Sequence, residues 1–377
     1  MGNRVVLILI VLALAAGAGS LYLLRGEGES SSNARALGQV LFPQLKAAEV
    51  ERITVQDAKG TINLERKGAG WAIAERGGFP ADIERVGELV VKLLELKTGQ
   101  TEPIGEKDRA RMQLAAPGKG DGAATLVTFK GKDGKTLAEL LVGKKYFKSP
   151  PEGDATKALG DGRYVMLPAE PARVILVSDP LKQAQSSAEE WVARDGFAVE
   201  NIRSLEVKLA DGGYRLAREN LDANWVLDGK GGELDGARAN AATFALAKVE
   251  VADVAAQGAD TGIADGPQIT ATTTDGLEYR IRLGKLEKDR YFAQVAVEGT
   301  PARVVKPAPA PPDEKADAKE KREKAAADEA KRFTERVARE KALSGFTLLV
   351  PKGKLEDVLK KRDDMLKKEE KKDEKKK

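Results

Sequence analysis

The chain has 377 residues, 42% hydrophobic and 32% charged, with 63 Lys and Arg against 59 Asp and Glu and a formal net charge of +4. That length holds two or three domains with sizeable cores; because the final stretch 367–377 is Lys-rich, the rest is close to neutral and no basic stripe marks a nucleic-acid partner. The chain contains no Cys and no His, which excludes a disulfide scaffold, a lipid-modified N-terminal Cys, Ser-His-Asp or Cys-His catalysis and any His or Cys zinc site.

The first element is the uncharged run Val5 to Leu24. As a helix rising 1.5 Å per residue it would span ~30 Å, the thickness of a bilayer's hydrocarbon core. Residues 1–25 therefore read as a single-pass transmembrane anchor, with Arg4 on the cytoplasmic side and the bulk of the chain outside the cytoplasm. A cleaved signal peptide, processed at Ala16-Gly17-Ala18, is the competing reading; the anchor is favoured because Leu21-Tyr22-Leu23-Leu24 carry the apolar run past that site. A linker, 26–46, follows.

Beyond it the sequence repeats itself. The stretch 51–86 matches 203–239, setting Lys59-Gly60 against Asp211-Gly212, Trp71 against Trp225 and Asp82 against Asp235. Farther on, Asp133-Gly134 faces Asp275-Gly276, Val142-Gly143 faces Leu283-Gly284, and Arg163-Tyr164 faces Arg290-Tyr291. Two repeat domains are expected, 47–195 and 196–366. Each reads as strand, hairpin, strand, Trp-strand, helix, short helix, three or four strands and a closing helix. Alternation in "ITVQ", "TINLER" and "WAIAE" has the period of half-buried strands, and the Lys-Gly and Asp-Gly pairs supply residues that accept positive φ in tight turns. In "ADIERVGELVVKLLEL", Asp82 is the expected N-cap, and Ile83, Val86, Leu89, Val90, Leu93 and Leu94 form the apolar face. Strands dominate and pair locally, so the fold class is α+β with mainly antiparallel sheets. Trp71, Trp225 and Trp191 are read as core residues, the first two packing a helix onto a sheet, with a ligand platform as the alternative.

Val50, Ile53, Trp71, Pro80, Asp82, Leu89, Leu114, Pro117, Gly134, Gly143, Tyr164 and Asp195 form a pattern that resembles the domain-of-unknown-function family 4340. The second copy is a more divergent version, without the Pro before Asp235. The resemblance implies a domain behind one N-terminal membrane segment, in some members an extracytoplasmic part of a transport complex linked to gliding motility. It assigns no catalytic, cofactor-binding or metal-binding residue.

The second copy is interrupted by a charged insertion, 302–342. It opens on the Pro-rich "KPAPAPP", then runs in Ala, Glu, Lys and Arg, which favour helix and place opposite charges three and four residues apart. Almost no large apolar residue precedes Phe333, so the arm reads as solvated, and its removal is expected to leave the melting temperature within a few degrees. The tail 367–377 is expected to be disordered. "GKDGKT" (131–136) lacks the first glycine of a phosphate loop and reads as a hairpin. The acids of "GADTGIADG" (258–266) read as turn caps, and Glu189-Glu190, being adjacent on an expected helix, cannot form a dyad by themselves.

The expected protein is a non-catalytic binding or scaffold subunit of an envelope transport or motility-type assembly. It sits in the cytoplasmic membrane, needs no cofactor, and has protein partners that include ABC-type transporter subunits. A cell-wall or glycan-binding module, using Trp71 and Trp225 beside acids, and a carboxylate-based envelope hydrolase are the alternatives.

Overall fold

The computed structural model describes residues 37–118, 120, 122–300 and 316–367. The expected membrane segment, most of the linker, the first part of the charged insertion and nearly all of the tail lie outside the described residues. Among the described residues no helix is long and apolar enough to cross a membrane.

The fold is α+β, its strands forming two mainly antiparallel sheets. In chain order the elements are β1 (Arg52–Gln56), β2 (Thr61–Lys67), β3 (Gly70–Ile73), β4 (Phe79–Pro80), α1 (Ile83–Glu95), β5 (Thr101–Pro103), α2 (Glu106–Arg111), β6 (Thr125–Lys130), β7 (Thr136–Tyr146), β8 (Gly162–Met166) and β9 (Arg173–Val177). There follow β10 (Ile202–Lys208), β11 (Tyr214–Ala217), β12 (Val226–Leu227), α3 (Gly236–Phe244), β13 (Asp253–Val254), β14 (Gln268–Thr273), β15 (Glu278–Glu287), β16 (Arg290–Glu298), α4 (Ala316–Ala342), β17 (Leu348–Pro351) and α5 (Lys352–Leu355). By internal contacts the chain divides into two compact units, one of residues up to 61 together with 84–186, the other of 62–83 together with residues from 187 onward.

In the first unit the strands lie in the order β1-β6-β7-β8-β9-β5, antiparallel throughout. One sheet face carries Ile53, Val55, Val127, Phe129, Leu140, Val165 and Ile175, all buried, as period-two alternation requires. α1 buries Val86, Leu89, Val90 and Leu93, at about 1.5–3 kcal/mol for each fully buried aliphatic side chain. Two residues expected on that face are not buried: Ile83, in the first turn, is 56% exposed, and Leu94 is only half-buried. A second, smaller cluster of Leu114, Ala124, Leu141, Met166 and Val174 covers the other sheet face.

The second unit holds the ladder β2-β3-β4 and a sheet in the order β12-β11-β10-β14-β15-β16-β17-β13. Its core includes Leu205, Val207, Leu216, Ile269, Tyr279, Ile281, Leu283, Val295 and Val350. α3 starts on Asp235, the position matched to Asp82, whose Oδ1 accepts from the backbone N–H of Ala237 at 3.0 Å and Arg238 at 3.4 Å, the usual N-cap arrangement.

The run β1-β6-β7-β8-β9-β5 has the same order as β10-β14-β15-β16-β17-β13, and the irregularities match as well. The β7–β8 register slips between Val142 and Lys145, the β15–β16 register between Leu283 and Leu286. At each bulge stands a glycine with backbone where a Cβ would sit: a Cβ on Gly143 would lie 2.6 Å from the Met112 carbonyl, and one on Gly284 2.0 Å from that of Thr261. The same two carbonyls accept from Lys144 N–H and Lys285 N–H, both at 2.9 Å.

The structure departs from the sequence reading at several elements. Gly134, Gly212 and Gly276 do adopt positive φ, but Gly60 does not; Asp57 closes that turn instead, its Oδ1 accepting from Lys59 N–H at 2.7 Å. Arg163 pairs with Lys145 whereas Tyr291 pairs with Leu286, so the register sets Arg163 against Tyr291 and Tyr164 against Phe292, one residue off the sequence match. The closing helix around Trp191 is only a 3₁₀ turn, Ala188–Glu190. The charged insertion is helical over 316–342 as expected, yet it is not merely solvated: Ala326, Phe333, Val337 and Glu340 are all buried. Spaced by seven, four and three residues, these form one seam along the helix, which small and polar residues disguise in the sequence.

Candidate binding groove and charged cleft

The three tryptophans separate once folded. Trp191 is fully buried and Trp71 is 8% exposed, with the Arg66 guanidinium 5.0 Å from the Trp71 ring centre; Trp71 is a core residue and offers no platform. Trp225 is half-buried, which corrects its reading as core. It precedes β12, a two-residue edge strand, too short to bring a full sheet face over the ring. Its Nε1 donates to Asn240 Oδ1 at 3.1 Å, and the Arg218 guanidinium lies 4.3 Å from the ring centre. Arg218 is anchored by donating to the carbonyls of Ile202 and Leu221, each at 2.9 Å, and burial pulls its guanidinium below the usual arginine range.

Beside this cluster runs a groove of about 710 Å³ lined by Val199, Ile202, Arg218, Asn240, Ala241 and Phe244, among others. Phe244, the last residue of α3, is 74% exposed. α3 turns Ala239 and Ala242 inward, so with a helical period Asn240, Ala241 and Phe244 are left on the groove side. A large aromatic side chain this exposed on the wall of a groove marks an interaction surface.

A second cavity of the same unit, about 330 Å³, is built from charge. Arg76 grips Asp253 in a fork, Nε to Oδ1 and Nη2 to Oδ2, both at 2.9 Å, with the side chains only 19% and 10% exposed. Arg290 holds Glu189 likewise, Nη1 to Oε1 at 2.8 Å and Nη2 to Oε2 at 3.0 Å. Planar forks of this kind match carboxylate geometry. The bond to Asp253 pushes the Arg76 guanidinium up, and the bond from Arg290 holds the Glu189 carboxyl below its ordinary value. At the rim, Lys288 and Asp289 form a two-residue hairpin with φ of +48° and +60°, a left-handed pair without the usual glycine.

Neither Arg76 nor Asp253 stands out in the sequence. They are 177 residues apart, and no spacing rule joins them. Of the residues the sequence singles out, Glu189 enters this cleft as a structural ion-pair partner. Residues 131–136 form the exposed β6–β7 hairpin, Gly131 N–H donating to the Lys135 carbonyl at 2.9 Å. In 258–266, Asp260 pairs with Lys285 at 2.6 Å and Gly262 adopts φ +61° ahead of a 3₁₀ turn. Among the described residues, no group of three or more acidic side chains converges as a metal site would need.

The sequence profile described as Domain of unknown function (DUF4340) covers residues 71–261, half of the chain, and the protein belongs to this family. No curated protein and no solved structure matches it.

Proposed function

We propose that this protein is a membrane-anchored, extracytoplasmic, non-catalytic scaffold or binding subunit of an envelope transport assembly. The observation that carries the binding role is the groove along α3, with Phe244 on its wall 74% exposed. The partner is another protein, an ABC-type transporter subunit, which covers Phe244. Anchoring is supported by the uncharged run Val5 to Leu24, long enough for one bilayer crossing. Two diverged copies of one pattern, 47–195 and 196–366, are supported by the common strand order, by bulges at the same places and by the crowded pair Gly143 and Gly284.

The test is affinity capture of the full-length chain from solubilised membranes, wild type against Phe244→Asp. Transporter subunits recovered with the wild type and lost with the variant, its melting temperature unchanged, are expected. Equal recovery with both rejects the groove as the docking surface, and a chain that leaves the membrane in carbonate rejects the anchor.

A further inference from the structure

The first unit has its own cleft, about 190 Å³, lined by Gln100, Glu102, Tyr146, Tyr164, Val174 and Leu176. Strand register makes it the counterpart of the charged cleft of the second unit. Across the first sheet, Tyr164 pairs with Leu176, and Leu176 N–H donates to the Gln100 carbonyl at 2.8 Å. Across the second, Phe292 pairs with Leu349 and Leu349 with Asp253. Two positions beyond Gln100 and Asp253 come Glu102 and Ala255, on the same side of the strand line. Tyr146 pairs with Gly162, two residues before Tyr164, as Glu287 pairs with Arg290, two before Phe292. Five of the first cleft's residues thus have counterparts that line the second.

The second cleft holds a cation, the guanidinium of Arg76 clasped by Asp253. The first has anionic and electron-rich walls but no cation of its own. Gln100 donates to Glu102 Oε1 at 2.5 Å, and among the described residues no Lys or Arg forms an ion pair with that carboxylate. The rings of Tyr146 and Tyr164 meet edge to face, 6.0 Å between centres and 89° between planes, making a corner whose ring faces attract cations. At about 190 Å³ the space is below the ~300–1,000 Å³ of a drug-sized ligand site and suits a single head group.

We propose that the Tyr146–Tyr164 cleft of the first unit binds the guanidinium of an arginine side chain, in the place that Arg76 fills in the second unit. Glu102 supplies the counter-charge and the two tyrosines the cation-attracting walls. The groove on α3 plays no part in this reading.

The test is isothermal titration of the full-length chain with Nα-acetyl-arginine amide and with its neutral isostere Nα-acetyl-citrulline amide, hydrogen–deuterium exchange locating the response. Saturable binding of the arginine compound is expected, with protection on β5 and the adjoining ends of β7, β8 and β9. Citrulline should bind at least about tenfold more weakly, since it lacks the charge-assisted bond. Glu102→Gln, at an exposed position, should reduce affinity by about tenfold with the fold intact, and Tyr146→Leu should also weaken it. Citrulline matching arginine, an unchanged affinity in Glu102→Gln, or protection confined to segments other than β5 and the adjoining β7, β8 and β9 overturns the proposal. Two sources of the group are separated by a Gly-Gly-Arg-Gly-Gly peptide: tighter binding than the amide identifies a protein partner, equal binding a small solute, and both outcomes uphold the guanidinium site.

Discussion

Phe333 decides whether α4 is an accessory arm or part of the second unit. Its side chain is 7% exposed, in one seam with Val337 at 3% and Glu340 at 1%. Truncating a buried Phe to Ala costs about 3–5 kcal/mol, from lost transfer free energy and the cavity left behind. In a unit of this size each kcal/mol moves the melting temperature by roughly 2–4 °C, so Phe333→Ala should lower it by about 6–20 °C. Thermal unfolding of the full-length chain followed by circular dichroism measures this, with Glu335→Ala, on the exposed side of the same helix, as a control expected to stay within about 0.5 kcal/mol. If the two variants melt together within about 2 °C of wild type, α4 contributes nothing to the fold and the solvated-arm expectation stands after all.

Trp71→Ala should cost about 3–5 kcal/mol, whereas Trp225→Ala, at a half-buried edge position, should cost about 1 kcal/mol; urea titrations of the two variants give the comparison, and equal losses would refute the distinction. Glu340 provides a pH test. Burial pushes its carboxyl above the ordinary value, against the Tyr279 hydroxyl bond at 2.7 Å, the Ala198 N–H bond at 2.9 Å and the nearby Arg336 and Arg339, which pull it down. With the folded-state value above that of the unfolded chain, ordinarily about 4.3, this group's contribution is fully present below about pH 4 and is lost as pH rises through the folded value. The urea midpoint of the wild type should therefore fall relative to that of Glu340→Gln between pH 4 and 7, and parallel curves would show that the carboxyl titrates normally.

Much of the fold is legible in the sequence because it rests on local patterns. Alternation marks β1 and β2; the apolar stripe marks α1; Asp-Gly pairs mark hairpins. What escapes reading is set by partners far along the chain. The bulges after Val142 and Leu283 each add a residue to one strand, which turns the side chains that follow to the opposite face, and no alternation announces it; the β7–β8 and β15–β16 connections differ in length, so the similar residues Arg163-Tyr164 and Arg290-Tyr291 align one position off their register. Trp225 looks like Trp71 in sequence, but β12 is two residues long where β3 has four, and burial follows the strand. The α4 seam escapes because Ala326 and Glu340 are not the residue types a hydrophobic pattern counts. Both clefts were missed for a similar reason, since the Arg76–Asp253 fork and the Tyr146–Tyr164 corner exist only through cross-strand register.

The place of β17 in the second sheet governs how that sheet is assembled. Among the described residues β13, at Asp253–Val254, has its ladder partner in β17, at Leu348–Pro351. During synthesis it therefore remains an unpaired edge until the chain has passed residue 351, and such edges invite pairing with the wrong strand. Residues 167–172 suffice to join β8 to β9, whereas residues 299–347 separate β16 from β17. Treated as flexible loops, the longer connection costs about 2 kcal/mol more in closure entropy. A helix formed over Ala316–Ala342 takes most of those residues out of the flexible pool before the strands meet, so local helix formation along the insertion lowers the entropic barrier to closing the sheet.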